Sequence, residues 1–420
     1  ILFAEFDFYI IKHYFYFTFF NTFAYIIYLV NQKVYNMNNK FLGLILGAGV
    51  AAMTSCGGNA GKNTAESTAD STNTVDSVKE FTLNRGVNLD HWLSQRGEGV
   101  DIDPNYITKK DFETIKKLGF DFVRVPIEEQ LMYNTDLTRR KIGFDLLDSA
   151  VKWSDETGLK MICDLHIIRS FHFNSENGEA NTLFEKEEAQ DNYVKVWLDI
   201  QDFLKNTPED KVAYELLNEV TTPDPENWNK LIAKVHKAIR ANEPTRKIII
   251  GSNHWQIPNT FPDLKVPEND KNLILSFHYY NPNVITHYRA HWAEFKDYTG
   301  KIQYPGDVLV DKDYFNTIAD ENVREIRKGM CGEWNAERME KEILIAKNVA
   351  DSLGLPLFCG EFGVYPYHVS PEIRIKWYED IMEVFRKNNI SCCHWGWKND
   401  FPCVDEKTLE PNAIAPIIAK

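Results

Sequence analysis

The stretch Lys109–Ile127, KKDFETIKKLGFDFVRVPI, sets a helical period beside an extended one. Lys109–Leu118 is amphipathic, Gly119 is a helix stop, and Phe120–Ile127 opens an apolar run rich in aromatic and β-branched residues. A helix feeding straight into a strand that is apolar on both faces is the unit of a parallel sheet covered by helices.

The alternation continues on both sides of it. Strands are expected at Thr82–Leu89, Phe120–Ile127, Lys160–Ile167, Val212–Glu219, Lys247–Asn253, Leu273–Tyr280, Pro356–Gly363 and Ser391–Trp397. Helices are expected at Lys109–Leu118, Phe144–Thr157, Asp191–Leu204, Trp228–Ala241, Glu333–Leu353 and Glu372–Asn388. In the second of these, Leu146, Leu147, Ala150, Val151 and Trp153 make an i, i+3, i+4 stripe. Eight units between residues 79 and 420 fit a (β/α)8 barrel of the TIM type better than an open doubly wound sheet. No GxGxxG follows the first strand, which argues against dinucleotide binding. Asn281 to Cys331 is too long for a simple loop and is expected to cover one side of the barrel mouth.

The residues before the barrel have another character. Residues 1–30 hold 13 Phe or Tyr and no Trp, and 1–36 read as upstream sequence outside the natural protein, with an N-terminal anchor as the alternative. Met37 to Lys40 is a short basic start and Phe41 to Met53 an apolar, Gly/Ala-rich run. Residues 37–56 thus read as a signal peptide of the lipoprotein type ending at Cys56, the residue expected to be lipidated. Residues 57–78, rich in Asn, Thr, Ser, Ala and Gly and free of aromatics, cannot bury enough surface to fold and read as a tether. The barrel is therefore expected outside the cytoplasm, as a monomer on a lipid anchor in a bacterial envelope. The cysteines beyond it (Cys163, Cys331, Cys359, Cys392, Cys393 and Cys403) lack zinc-site spacing and read as small core residues, with a disulfide left open.

Charge narrows the partners. Among 420 residues, 47 Lys+Arg against 61 Asp+Glu give a net charge of −14. That excludes a phosphate-binding face for nucleic acid and docking on anionic lipid.

A barrel enzyme keeps its chemistry at the C-terminal strand ends. Those ends carry Asn88, Asp90, His91 and Trp92; Arg124 and Glu128; Asp164 and His166; Asn218 and Glu219; Asn253, His254 and Trp255; His278 and Tyr280; Glu361; then Trp395, Trp397, Asn399 and Asp400. Glu219 on strand four and Glu361 on strand seven stand nearly across the mouth, where two carboxyls can flank one glycosidic bond. Trp92, Trp255, Trp395 and Trp397 offer flat faces for sugar rings, whereas Trp153, Trp197 and Trp377 on helices are packing residues.

At these residues the sequence resembles glycoside hydrolase family 5, the cellulase family, from about Leu83 to Phe401. RGVNL (85–89) with Trp92, FVRVP (122–126), DLH (164–166), LLNE (216–219), FHYY (277–280), GEFG (360–363) and HWGWK (394–398) come in the family's order. The resemblance implies Glu219 as acid/base and Glu361 as nucleophile, with no metal or organic cofactor. Asn218 would bond the sugar's 2-hydroxyl, and Arg124 and Tyr280 would orient Glu361. His166 and His278 would line the site and Trp395 would form its floor, while Arg124 would lower the pKa of Glu361. It further implies a retaining, endo-β-1,4-glucanase-like hydrolase of a β-glucan. The alternatives are a β-mannanase, an exo-β-glucanase, or a non-catalytic sugar-binding barrel. Glu333, in CGEWN, is a rival nucleophile, but it follows a charged segment and leads into a helix. The segment after His166, with Phe171 and His172, departs from some relatives and is expected to reshape the subsites.

Overall fold

A computed structural model describes residues 80–97, 99–174 and 181–420. The extension, signal peptide, tether and Cys56 expected before residue 79 lie outside the described residues. Residues 80–319 and 327–420 form one compact unit, which is the subject below.

Eight parallel strands close into a barrel: β1 (Arg85–Asn88), β2 (Phe122–Glu128), β3 (Lys160–Ile167), β4 (Val212–Glu215), β5 (Ile248–Gly251), β6 (Leu273–Tyr279), β7 (Leu357–Phe362) and β8 (Ser391–His394). Each pairs with its sequence neighbours and β8 returns to β1. Behind them lie α1 (Lys109–Leu118), α2 (Lys141–Thr157), α3 (Glu187–Leu204), α4 (Pro225–Arg240), α5 (Ala336–Leu353) and α6 (Pro371–Lys387). Strands four, five and eight end earlier than the sequence pattern suggests, because their last residues leave the ladder to line the mouth. Helix α5 starts later than expected: the Asn335 side chain accepts from the Arg338 N–H, fixing the first turn there. Residues Glu333–Trp334 instead pair antiparallel with Gly306–Asp307.

The opening stretch folds as read. The Thr108 N–H donates to the Asp111 carboxylate at 2.8 Å, closing the start of α1. Gly119 takes φ 108°, a left-handed stop suited to glycine.

Side chains alternate in and out along each strand, so the barrel interior is layered. Its floor is an apolar cluster of Phe122, Ile162, Ala213, Ile249, Ile274, Phe358 and Cys393, with Phe81 packed against them. On β1 the floor position is Gly86, where a Cβ would collide with the Phe122 ring. Two residues further along the same strands stand Asn88, Arg124, Asp164, Glu215 and Ser276, all buried. The larger core lies between strands and helices. All six cysteines in the described part are buried and free, as expected of small core residues. Among the described residues no helix is long and apolar enough to cross a membrane.

Candidate active site

Arg124 is the centre of the polar layer. Its Nε donates to Glu215 Oε2 at 2.7 Å and one terminal nitrogen to both Asn88 Oδ1 at 2.9 Å and Glu361 Oε1 at 2.8 Å. The other terminal nitrogen donates to Asn218 Oδ1 at 2.8 Å and lies 2.9 Å from Asp164 Oδ2. One guanidinium, fully buried, thus faces three carboxyl groups. Burial of this kind is tolerable only where the charge is paired and every donor used. Burial pushes the Asp164 carboxyl up to about 7 against the pull of Arg124.

Glu361 reaches that cluster through a bulge in β7. Phe277 pairs with Cys359 but the next residue, His278, pairs with Glu361, leaving Gly360 unopposed. Simple alternation from Phe358 would aim Glu361 outward; the extra residue turns it inward beside His278. Only glycine fits there, since a Cβ would lie 2.8 Å from Ser276 Oγ and 2.9 Å from His278 Nε2. The Tyr280 hydroxyl completes the hold by donating to Glu361 Oε2 at 3.1 Å.

Glu219 stands just beyond β4 with φ 46°, a left-handed conformation that non-glycine residues adopt at some cost. Its Oε1 lies 2.8 Å from His278 Nδ1. Atoms of Glu219, Glu361 and His278 all lie within 4.8 Å of one another. These three are also the group that could converge on a metal ion, but the Arg124 guanidinium bonded to Glu361 opposes a second cation. Burial, and then the charge of Glu361, hold the Glu219 carboxyl well above the usual carboxylate range. Burial also raises Glu361, opposed first by Arg124. Arg124 lowers Glu361 as expected, but burial outweighs it and leaves the carboxyl raised. The difference between the pair survives, since Glu361 has Arg124 and Tyr280 as direct partners and ionises first. Burial pushes the His278 and His166 imidazoles well down, so both are neutral.

His166 Nδ1 lies 2.6 Å from Asp164 Oδ2, and the ring is stacked on Trp395 at 5.5 Å and 6°. Among the described residues, His166 Nε2 and Asn218 Nδ2 are buried without a partner. Such atoms are costly unless a ligand satisfies them.

The tryptophans divide. Trp395 lies in the site and Trp255 is half-buried at its β5 edge, with Nε1 donating to the Phe173 carbonyl at 3.3 Å. Trp92 and Trp397 are corrections: both are fully buried. Trp92 stacks on Trp153 in the core, and Trp397 Nε1 donates to Asp111 at 2.9 Å, so neither presents a face to a sugar. Phe171 is buried too, while His172 is half-buried and stacks on Phe173. Glu333 is exposed on the two-residue strand away from the barrel, which leaves Glu361 as the carboxylate opposite Glu219.

Three features escaped sequence reading. Glu215, taken only as strand interior, faces inward onto Arg124. Gln256 binds the backbone of Glu219. A run of aromatic rings leaves Tyr280 for the rim: Tyr280 meets Phe401 at 6.0 Å, Phe401 meets Tyr365 at 5.9 Å, and Tyr365 meets Trp292 at 5.1 Å and Tyr367 at 4.9 Å. Trp292 is 37% and Tyr367 60% exposed. Trp292 belongs to the long segment after β6, which is tied to the β7 loop by a Tyr365 N–H to Thr286 carbonyl bond at 2.8 Å. The segment does flank the mouth, as its length suggested.

Residues 75–401 match the family model described as Cellulase (glycosyl hydrolase family 5). Endoglucanase C of Acetivibrio thermocellus is 31% identical over 335 residues, covering 76% of this chain and 93% of the relative. Cellodextrinase A of Ruminococcus flavefaciens is 30% identical over 315 residues, covering 75% and 85%. A solved hyperthermophilic endo-β-1,4-glucanase in complex with substrate superposes with a TM-score of 0.63 at 25% identity, over 80% of this chain and 96% of that one.

Proposed function

The chain belongs to glycosyl hydrolase family 5 and is a glycoside hydrolase acting on β-glucan, and we propose that it cuts β-1,4-linked chains internally by double displacement, with retention. The observation that carries this reading is the closeness of Glu219 and Glu361, within 4.8 Å at their nearest functional atoms. Retaining enzymes keep their carboxyls about 5–5.5 Å apart, whereas inverting ones leave about 6.5–9.5 Å for a water.

In the first step Glu361 attacks C1, the C1–oxygen bond breaks, and the Glu219 proton passes to the departing oxygen. The raised pKa of Glu219 keeps that proton available. Arg124 and Tyr280 hold the two Glu361 oxygens, leaving the carboxylate aimed and less solvated. Once Glu361 is esterified its charge is gone, and the charge that helped hold Glu219 protonated goes with it. Glu219 then takes a proton from water, the water oxygen bonds C1, and the ester bond to Glu361 breaks. The unpartnered Asn218 Nδ2 and His166 Nε2 support a role in bonding sugar hydroxyls, with Trp395 as the floor. The aromatic rim supports internal cutting, since it extends the surface past the reacting sugar.

The reading includes an exported enzyme anchored through Cys56, supported by the basic start, apolar run and small residues of 37–56. Labelling with a radioactive fatty acid should mark the wild type and not Cys56→Ala.

For the activity, wild type and Glu361→Ala are offered cellulose derivatives, mixed-linkage glucan, mannan and xylan. Wild type should release cello-oligosaccharides with the β-anomer first, and Glu361→Ala should lose at least about 10⁴-fold in kcat. Undiminished turnover in the variant would falsify the nucleophile assignment. Mannan as the preferred polymer would replace the glucanase reading.

A further inference from the structure

Behind the two carboxylates a hydrogen-bonded path runs from the Glu219 backbone to the Glu361 carboxylate. Gln256 Oε1 accepts from the Glu219 N–H at 2.8 Å, and Gln256 Nε2 donates to Ser276 Oγ at 3.1 Å. Ser276 Oγ donates to Glu215 Oε1 at 3.4 Å, Glu215 Oε2 accepts from Arg124 Nε at 2.7 Å, and Arg124 donates to Glu361. The Gln256 carbonyl also accepts from the His278 N–H at 3.0 Å, and His278 is the residue against the Glu219 carboxyl. One residue therefore holds the backbone of Glu219 through its side chain and the backbone of His278 through its main chain.

The fold goes to some length to place it. His254, Trp255 and Gln256 take φ 51°, 57° and 56°, three successive left-handed residues, a conformation that non-glycine residues adopt only at a cost. That turn is tied to the chain after Glu219 by Asn253, which accepts from the Thr222 N–H at 2.9 Å and donates to the Thr222 carbonyl at 2.7 Å. Gly251 makes the room: a Cβ there would collide with the Gln256 side chain. Gln256 is buried, so its bonds are made in low dielectric, where an unmatched group is expensive.

We propose that Gln256 is a positioning residue for acid/base catalysis, fixing Glu219 and His278 in the geometry that delivers a proton to the leaving oxygen. This rests on Glu219 being the acid/base. Its signature is a defect that depends on the leaving group, because dinitrophenolate departs without a proton and an unactivated alcohol does not.

Wild type, Gln256→Met, Ser276→Ala and Glu219→Ala are compared on 2,4-dinitrophenyl and methyl β-cellobiosides, with rates counted per active site titrated by the dinitrophenolate burst. Gln256→Met should lose about tenfold or more in kcat/KM on the methyl glycoside and less than about threefold on the dinitrophenyl one. Ser276→Ala, which keeps the Glu219 bond but removes the hydroxyl partner of Gln256 Nε2 and leaves it only the Ser276 carbonyl at 3.4 Å, should show a smaller loss of the same selectivity. An equal loss on both substrates, or none, in these two variants overturns the proposal, and if Gln256→Met yields no active sites the Ser276→Ala ratio decides. The Glu219→Ala control separates the two ideas: if it too lacks selectivity, the acid/base assignment fails, whereas selectivity there alone removes Gln256.

Discussion

Two layers of the barrel interior, two residues apart on the same strands, are built on opposite principles. The floor around Phe122 and Phe358 is hydrocarbon with a glycine cut to fit. The layer above it packs Arg124 among Asp164, Glu215 and Glu361 with no hydrocarbon alternative. The floor stabilises through area removed from water. The upper layer takes charge out of water and regains only part of that cost through pairing. The contrast teaches that this fold keeps stability and chemistry in adjacent shells, so that they can be perturbed separately.

The strongest way to break that separation is from below. Phe122→Ala should cost about 3–5 kcal/mol of stability by cavity formation, with kcat per folded molecule unchanged. Denaturant titration with active-site counting checks it, and a fall in kcat per site would show the layers to be coupled.

From above, Glu219→Gln should stabilise while abolishing turnover of unactivated substrates. The folded carboxyl titrates well above its unfolded value. As pH rises past about 4.3 the unfolded chain ionises while the folded one keeps its proton, so wild-type stability falls with pH across that window. The gain from Gln should therefore be absent near pH 4 and grow towards neutrality, by at most about 1.4 kcal/mol per pH unit. Melting temperatures at several pH values test this; a pH-independent gain would contradict the burial of that charge.

The smallest effect belongs to the rim, outside both layers. Trp292→Ala and Tyr367→Ala should raise KM for long glucans by about tenfold or less, the worth of one lost aromatic contact of about 0.5–1.5 kcal/mol. KM for dinitrophenyl cellobioside should stay as it was. Equal change on both substrates would remove the rim from substrate binding.

Much of this was legible in the sequence, for identifiable reasons. The helix–glycine–strand order of 109–127 repeats down the chain because each element must bury its own apolar face. Glu219 and Glu361 stood out as carboxylates at the ends of apolar runs. The orientation of side chains was less accessible. Trp92 and Trp395 both follow strands and look alike in sequence, yet one is buried on Trp153 and the other lies stacked on His166. Which way each points depends on backbone turns such as that at His91, with φ 54°. Gln256 gave no signal either, since its role arises from a left-handed turn after β5 that no composition rule anticipates. The burial that raises Glu361 despite Arg124 is a property of the assembled interior and not of any motif.

The unopposed Gly360 has a consequence for what mutation can do to this strand. Because the facing of Glu361 depends on one surplus residue in β7, the feature is a matter of length before it is one of chemistry. Straightening the strand with every residue kept would turn Glu361 outward, whereas removing Gly360 would give an even ladder that still carries it inward opposite His278. Divergence in β7 is therefore free to change letters on its outer face but must change count and bulge together, since either one altered alone turns the carboxylate away from the mouth.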